Sequence, residues 1–295
     1  MKAANKEKIK PSQAAMLLVL CFAGALIIFP LIVTLAGSFM SEAEISLRYT
    51  TSLSVFDILE GVSERFVQIA LIPHEVTLDQ YFTVLIDQPM FMMLMLNSVR
   101  ITVPVVMLGV IVSLLGAYGF TVWNFRYKET VFFVYIVVML MPLVAVLVPN
   151  YIIAERLGLI GSLWAIILPG IFSPFGTFLL RQNMKSIPSS YFEAARIDGA
   201  SSLYILIHIV IPQVKSGIAA LSMLVFIEYW NLVEQAVVFI RDPHAEPLSV
   251  FLSRIAAGRI GLIFAVSCVY MFFPVWFLLF GQKDLEKGIE LSGVK

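Results

Sequence analysis

The sequence contains few charged residues and very few residues suited to redox or metal chemistry. Only 14% of its 295 residues are charged, whereas 60% are hydrophobic. Soluble globular domains carry about 25% charged residues, so this composition excludes an ordinary soluble protein and indicates a membrane protein. The 20 basic and 20 acidic residues cancel. This balance does not provide the positive field that nucleic-acid binding requires, so no nucleic-acid partner is expected.

Catalytic and metal-binding patterns are also missing. The two cysteines, Cys21 and Cys268, lie in apolar runs and suit neither a disulfide framework nor a metal site. His74-Glu75 opens a zinc-protease pattern, but Leu78 occupies the position of its second histidine. The sequence has no phosphate-binding loop of the glycine and lysine type and no nucleophile elbow. It therefore predicts a protein that is not an enzyme and has no catalytic residue, metal site or cofactor of its own.

Long stretches without any charge occupy most of the chain. A charge in the middle of a bilayer costs at least ~2.5 kcal/mol, so such stretches mark membrane spans of about 20 residues or more. Five are evident, at 11–41, 101–125, 130–154, 157–180 and 260–282. A sixth, 216–240, has the length of a span although it contains Glu228 and Glu234. We therefore expect an all-α, polytopic membrane protein with six transmembrane helices.

The distribution of lysine and arginine predicts the orientation of these spans. Most of these residues fall in the segments that lie inside if the N-terminus is inside, so both termini are expected in the cytoplasm. The first uncharged run greatly exceeds the core of about 7–15 residues of a cleavable signal, which favours an uncleaved span. The expected organisation is a cytoplasmic tail at 1–11 and one transmembrane domain at 12–295. Within that domain we expect an external segment at 42–90, a cytoplasmic loop at 182–215 and a C-terminal tail at 283–295.

The external segment has helical patterns of its own. Apolar residues recur at steps of four and three from Val55 to Ile69, which predicts one amphipathic helix. Thr77 and Gln80 are spaced as a capping box, which predicts a second short helix ending near Pro89. Two interpretations of the stretch at 46–70 remain open. It is either an interfacial helix that covers the membrane domain or a docking surface for an extracytoplasmic partner.

Small residues form a stripe on the second predicted span. Gly109, Ser113 and Ala117 repeat at intervals of four, so they lie on one face of the helix. Such a stripe allows two membrane helices to approach closely. We interpret it as a packing surface.

The cytoplasmic loop is unusually well organised for its length. Pro188 ends the preceding segment, and Ser190 with Glu193 is spaced as a capping box for a first helix. Gly199 offers the left-handed exit from that helix, and Ser201 or Ser202 can begin a second one. The sequence therefore predicts a helix, a turn and another helix.

The first helix of this loop has the composition of a docking surface. Ala194 and Ala195 keep the surface shallow, while Glu193, Arg196 and Asp198 can pair outward with a partner. These features suit a short helix that fits into a cleft. Asp198 could instead act within the loop itself.

The stretch from Glu193 to Ser201 reads EAARIDGAS and is followed by Ile211-Pro212. It resembles the conserved loop of binding-protein-dependent ABC importer permeases. Further agreement comes from Trp230-Asn231, from a proline in the last span and from a C-terminal segment at 282–295. Together these features resemble the second permease subunit of the maltose-type carbohydrate importers. One departure is Leu206, where many relatives have phenylalanine.

The resemblance implies a type I ABC importer permease fold in the cytoplasmic (inner) membrane and ATP-driven import of a sugar. The implied partners are a second permease subunit, two cytoplasmic ATPase subunits that bind ATP and Mg, an extracytoplasmic solute-binding protein and the bilayer. The loop would dock in a cleft of the ATPase and transmit its closure. The residues implied in this coupling are Glu193, Ala194, Ala195, Arg196, Asp198, Gly199 and Pro212. On this basis we expect Ala195→Arg to uncouple transport without unfolding the protein.

Polar residues in the fifth predicted span suggest a substrate path. Glu228 falls near its centre, where a charge is a functional hypothesis by default. Asn231 and Gln235 share a face with Glu228, and Trp230 and Glu234 are spaced four apart on another face. Carboxylate and amide groups beside an aromatic ring suit a sugar. The alternative is that these polar groups contact the partner permease or an arginine of the same chain, Arg254 or Arg259.

Two other functions remain open at this point. One is an ABC permease for another small polar solute, such as a phosphorylated or charged glycoside. The other is an ion-coupled secondary transporter, in which Glu228 and Glu234 would bind cations or protons. Such transporters usually have two matching halves, and the sequence has no convincing internal repeat.

Overall fold

The computed structural model describes residues 11–49, 67–254 and 260–292, and within these ranges all regular secondary structure is helical. The amphipathic helix that we predicted from Val55 onward falls mostly outside the described residues. The described helices are α1 (Pro11–Gly37), α2 (Glu42–Tyr49), α3 (Asp79–Phe82), α4 (Pro89–Val122), α5 (Lys128–Met139), α6 (Leu143–Arg156), α7 (Trp164–Ile171), α8 (Pro174–Met184), α9 (Ser189–Ile197), α10 (Ser202–Ile205), α11 (Lys215–Trp230), α12 (Glu234–Phe239), α13 (Leu248–Arg254) and α14 (Ile260–Ser292).

Several of these helices are long and apolar enough to cross a membrane. In the part of the chain that the structure describes there are four such candidates, Met16–Gly37, Pro89–Val122, Trp164–Met184 and Ile260–Asp284. Two bent helix pairs raise the number to six if each pair is one span. The all-α, polytopic architecture expected from hydropathy is thereby confirmed.

The third predicted span is not a straight helix. It is divided into Lys128–Met139 and Leu143–Arg156, which meet at an angle of 99°. Pro142 lies at the break and precedes the first residue of α6. Proline has no backbone N–H and its ring collides with the preceding turn, so α5 cannot continue through it.

The predicted span at 216–240 is also interrupted, so the expectation of one continuous helix there is wrong. Helix α11 ends at Trp230, and α12 begins at Glu234. The Asn231 side chain donates a hydrogen bond to the Ile227 carbonyl at 2.8 Å, and its Oδ1 accepts one from the Tyr270 hydroxyl at 3.0 Å. The bond to Ile227 is local and competes with helix propagation, which is why an asparagine favours a helix end. The bond from Tyr270 is a long-range one that holds Asn231 at this end.

The chain forms two compact units. The first contains residues from 1–88 and 255–269 and includes α1, α2, α3 and the start of α14. Its α1 exposes apolar side chains along most of its length, as expected for a helix surrounded by lipid. Within this unit the Tyr81 hydroxyl donates to Ser38 at 2.8 Å, and Gln80 donates to Glu42 at 2.9 Å.

The capping box predicted at Thr77 and Gln80 does not form. The Thr77 hydroxyl accepts a hydrogen bond from the Asp79 N–H at 3.1 Å, but the Gln80 amide bonds to Glu42 instead of returning to Thr77. The backbone N–H of Thr77 donates to the Phe39 carbonyl at 2.9 Å. A long-range partner thus replaces the local one. The short helix itself is present and continues as a π-helix over Thr83–Asp87.

The second unit contains residues from 89–254 and 270–295, and α4 is its central helix. Helix α4 packs against α7, α8, α11 and α13. Ser113 and Ala117 are fully buried, and a Cβ added to Gly109 would lie 3.7 Å from the Ile171 carbonyl oxygen. The small-residue stripe is therefore confirmed as a packing surface.

Candidate functional site

Helix α9 ends in a Schellman motif. Gly199 has a φ of +77°, and its N–H donates to the Arg196 carbonyl at 3.1 Å. The N–H of Ala200 reaches back to the Ala195 carbonyl at 2.9 Å. These two bonds satisfy carbonyls that the helix end would otherwise leave without a partner. The left-handed exit predicted at Gly199 is therefore confirmed.

Gly199→Ala is expected to destabilise this turn by about 1–2 kcal/mol, because a Cβ disfavours the left-handed conformation. The measurement is the free energy of unfolding in mixed detergent micelles. The matched control is Gly119→Ala, because Gly119 lies inside α4 and no neighbouring atom lies within 4 Å of an added Cβ. Alanine should be neutral or favourable there. Equal stability changes at the two positions would contradict the role assigned to Gly199.

The second helix of the loop begins as predicted, but the first does not. The Ser201 hydroxyl accepts a hydrogen bond from the Tyr204 N–H at 3.2 Å and so caps α10. Helix α9 starts at Ser189, and Pro188 precedes it without any side-chain cap. The capping box predicted at Ser190 and Glu193 is therefore wrong. The fixed φ of proline already suits the entry into a helix, so the start moves to the residue after Pro188.

Helix α10 widens before its proline. Beyond Ile205 it continues as a π-helix over Leu206–Val210 and as an α-helix again over Ile211–Gln213, and we use α10 for the whole of 202–213 from here on. In an unbroken α-helix the ring of Pro212 would collide with the carbonyl one turn earlier, and the wider π turn avoids this collision. We call the segment Ser189–Gln213 the α9–α10 hairpin.

The inner face of the α9–α10 hairpin belongs to the core of the second unit. Phe192 and Ala195 of α9 are buried with Ile205, Leu206 and Val210 of α10. The same apolar cluster includes side chains of α4, α8 and α11. The hairpin is thus packed onto the transmembrane helices as one apolar core.

The outer face of α9 carries most of the residues that the sequence assigned to a partner. Glu193, Ala194, Arg196 and Asp198 are exposed, and Ile197 is 86% exposed. Ala195 is only 8% exposed. The expectation that Ala195→Arg would leave the protein folded must therefore be corrected, because an arginine at this position would have to enter the core.

A second candidate site is a cleft of about 580 Å³ lined by residues of α5, α6, α7, α8, α11 and α12 and of the segments between them. Its polar lining includes Glu228, Gln235 and Asn150, and Tyr229 lies beside them. The rest of the described wall is mainly apolar. Glu228 is the only charged residue among the described residues that line the cleft. The break between α11 and α12 still leaves Glu228 and Gln235 at the same cleft.

Three other residues assigned to the substrate path lie elsewhere. Trp230 is 1% exposed, and its indole N–H donates to the Tyr270 carbonyl at 3.3 Å. Asn231 bonds to Ile227 and Tyr270, and Glu234 is exposed at the start of α12. None of these three is among the described residues that line the cleft.

Two further residues, Asn150 and Tyr229, line the cleft although the sequence patterns did not predict them. Asn150 is a polar residue inside an apolar run, which is a signal in itself, since buried amides in membrane helices serve packing or function. Tyr229 follows Glu228 directly, but its position depends on Gly170. A Cβ on Gly170 would lie 2.6 Å from the Tyr229 hydroxyl oxygen. The contact between Gly170 and Tyr229 joins residues far apart in sequence, so no local sequence pattern predicts it.

No group of three or more histidine, cysteine, aspartate or glutamate side chains that could hold a metal occurs among the described residues. His208 lies on the exposed face of α10, where its ring stacks on Tyr204 with 4.2 Å between ring centroids. This contact is local and structural.

Comparison with known proteins agrees with the helical architecture and the loop motif. Residues 106–281, more than half of the chain, match the family described as "Binding-protein-dependent transport system inner membrane component". The polygalacturonan/rhamnogalacturonan transport system permease protein of Bacillus subtilis (strain 168) is 30% identical over 69% of each chain. The arabinooligosaccharides transport system permease protein of Halalkalibacterium halodurans is 25% identical over 98% of this chain and 99% of its own.

A solved structure supports the same fold. The chain matches the crystal structure of a bacterial ABC transporter involved in the import of the acidic polysaccharide alginate with a TM-score of 0.75. The match covers 93% of this chain and 97% of the other at 23% sequence identity. The sequence match and the shared fold place this chain in the binding-protein-dependent transport system inner membrane family, as a multi-pass permease subunit of an ABC importer rather than an enzyme.

Proposed function

We propose that this chain carries a carbohydrate across the cytoplasmic membrane and couples that movement to ATP hydrolysis in a separate subunit through the α9–α10 hairpin. The observation that carries this proposal is the position of the hairpin. Its outer face presents Glu193, Ala194 and Ile197, while its inner face is part of the core that contains α4, α8 and α11. A displacement of the outer face is therefore transmitted to packed transmembrane helices.

The partners follow from what the hairpin needs. Since the sequence has no phosphate-binding loop, ATP and Mg belong to a separate ATPase, of which two copies would dock on this chain and on a second permease subunit. A solute-binding protein would deliver the substrate from outside. A further solved structure, a bacterial alginate ABC transporter in complex with an alginate pentasaccharide-bound periplasmic protein, matches this chain with a TM-score of 0.58 at 15% identity. The hairpin and both termini would then lie in the cytoplasm.

Carbohydrate as the substrate class is supported by the names of the relatives. They include transport permeases for polygalacturonan, arabinooligosaccharides, lactose and sulfoquinovosyl glycerol. All of these solutes carry sugar units. The cleft at Glu228 and Gln235 has the hydrogen-bonding groups and apolar walls that such a solute requires.

Glu228→Ala is expected to lower substrate uptake by roughly tenfold or more, because a hydrogen bond to a charged group is worth about 1.5–3 kcal/mol. Assembly of the complex should be unaffected, since the side chain faces the cleft. The matched control is Glu234→Ala, a carboxylate six residues further on that is exposed outside the described lining of the cleft. The measurement is uptake of radiolabelled oligosaccharide at equal amounts of complex. Equal losses in both variants would remove Glu228 from the substrate path.

The function as a whole is tested in vesicles that contain the complete complex. We expect uptake of an oligosaccharide only when ATP and the solute-binding protein are both present, with ATP hydrolysis rising in step. A panel of neutral and acidic oligosaccharides would identify the substrate. If this chain alone transported solute along an ion gradient without ATP, the proposal would be wrong and Glu228 would become the leading ion site.

A further inference from the structure

The C-terminal end of α4 is held by three basic side chains. The last four carbonyls of a helix have no partner inside it. In α4 the Gly119 carbonyl accepts a hydrogen bond from the Trp123 N–H at 3.3 Å. The next three carbonyls accept from basic side chains: Phe120 from Arg181 Nε at 3.2 Å, Thr121 from Lys128 Nζ at 3.0 Å and Val122 from Arg196 Nη2 at 3.4 Å.

The three basic side chains come from three different helices. Lys128 is the first residue of α5, Arg181 belongs to α8 and Arg196 to α9. The C-terminal end of a helix carries a partial negative charge, so positively charged side chains are favourable there. We call Lys128, Arg181 and Arg196 the α4 cationic cap.

Two members of the α4 cationic cap are at least partly buried. Arg181 is 2% exposed, forms an ion pair with Glu129 at 2.5 Å and lies 3.7 Å above the centroid of the Phe132 ring. Lys128 precedes Glu129 on the same helix and is partly buried. Their hydrogen bonds connect the end of α4 to α5 and α8.

Arg196 is the exposed member of the α4 cationic cap, and it is also part of the EAARIDGAS stretch. The sequence allowed its charge to pair outward, and the family resemblance placed it among the residues that would couple to the ATPase. In the structure it bonds inward, to the Val122 carbonyl, across 74 positions of sequence. Among the described hydrogen bonds, it is the only one that a side chain of α9 makes to α4.

We propose that Arg196 is a positioning residue that ties α9 to the C-terminal end of α4, so that a displacement of α9 moves α4 directly. This inference rests on the proposed function, since it assumes that α9 is the helix that the ATPase moves. It adds a connection besides the one that runs through α10 into α11. Helix α4 packs against α7, α8 and α11, and these helices contribute the wall of the cleft at Glu228. The movement would thus reach the cleft without passing through the bend between α10 and α11.

The first test compares three variants in the complete complex in vesicles. In Arg196→Gln we expect the oligosaccharide taken up per ATP hydrolysed to fall fivefold or more, the lower range of typical coupling between sites. Arg196→Lys keeps a cationic donor and should recover most of the ratio. The matched control is Arg126→Gln, because Arg126 is an exposed arginine near the same helix end whose described contact is the Tyr127 ring. It should behave as the wild type.

The second test follows the connection itself. Spin labels at Trp123 and Ser202, after replacement of both native cysteines by alanine, report the distance between the end of α4 and the start of α10. Both positions are exposed. We expect this distance to be the same in the nucleotide-free and ATP-trapped states of the wild type and to differ between them in Arg196→Gln.

The outcomes separate this inference from the proposed function. A wild-type complex that hydrolyses ATP but takes up no oligosaccharide in any condition contradicts the proposed function. A functioning complex in which Arg196→Gln retains the wild-type ratio and the constant distance overturns the inference alone. A distance that already changes in the wild type overturns it as well. Equal loss of uptake per ATP in Arg196→Gln and Arg126→Gln would reduce the effect to general surface charge and would also overturn it.

Discussion

Replacing Ala194 by arginine is expected to reduce ATP-driven uptake at least tenfold while the permease remains folded and membrane-inserted. Ala194 is exposed on the outer face of α9, beside Glu193. A long charged side chain there would keep a partner surface from approaching the helix closely, and a tenfold loss corresponds to about 1.4 kcal/mol of interaction. The measurement is uptake and ATP hydrolysis in vesicles, together with co-purification of the ATPase.

The matched control is the same substitution at the next residue. Ala195 lies on the inner face of α9 and is buried in the core that contains Phe192 and Leu206. Ala195→Arg is therefore expected to lower the amount of folded permease, because a guanidinium group cannot be buried there without a partner. A third variant, Ala194→Ser, adds one oxygen atom and should retain activity. If Ala194→Arg transported normally, or if Ala195→Arg were the stable and uncoupled variant, the orientation of α9 given above would be wrong.

Trp230→Ala is expected to destabilise the protein by about 3–5 kcal/mol, the usual range for removing a large buried aromatic side chain. Trp230 is 1% exposed and packs against the rings of Phe226, Tyr270 and Phe273, at 5.3, 5.5 and 5.4 Å between ring centroids. The Tyr270 carbonyl also loses the indole N–H as its donor. The measurement is the free energy of unfolding in mixed micelles.

Two variants control for this result. Trp164→Ala removes a tryptophan that is 50% exposed in the isolated chain, so its cost in unfolding free energy should be much smaller. Trp230→Phe keeps an aromatic ring and should retain most of the stability. A Trp230→Ala protein with unchanged stability but weakened uptake would restore Trp230 to the substrate path, where the sequence first placed it.

The capping predictions illustrate how far local patterns can be followed. Ser201 was correctly predicted to cap α10, whereas Ser190 does not cap α9. In both cases the hydroxyl has the right spacing. The difference is that Pro188 already fixes the entry into α9, so the helix begins two residues earlier than a cap at Ser190 would place it. Thr77 shows a second kind of failure, since Gln80 prefers Glu42, a residue far away in sequence.

Of the five residues predicted to line a substrate path, two lie at the cleft and three do not. Spacing along one continuous helix placed Glu228, Asn231 and Gln235 together. The helix ends at Trp230, and yet Glu228 and Gln235 line the same cleft. Asn231 is withdrawn from that face because it bonds to Ile227 and Tyr270. Periodicity describes an unbroken helix and cannot anticipate where a tertiary hydrogen bond ends it.

The sequence by itself determined the membrane class, most of the apolar spans, the helix–turn–helix loop and the left-handed turn at Gly199. Each of these depends on properties of neighbouring residues: transfer of apolar side chains from water, and the freedom of glycine at positive φ. Only the tertiary structure decided that Ala195 faces the core and Ala194 does not, that Trp230 is internal, and that Arg181 and Arg196 meet the end of α4 across 61 and 74 positions of sequence. The physical reason is that burial and long-range hydrogen bonding depend on which helices pack together, and that arrangement has no signature within any single segment of the chain.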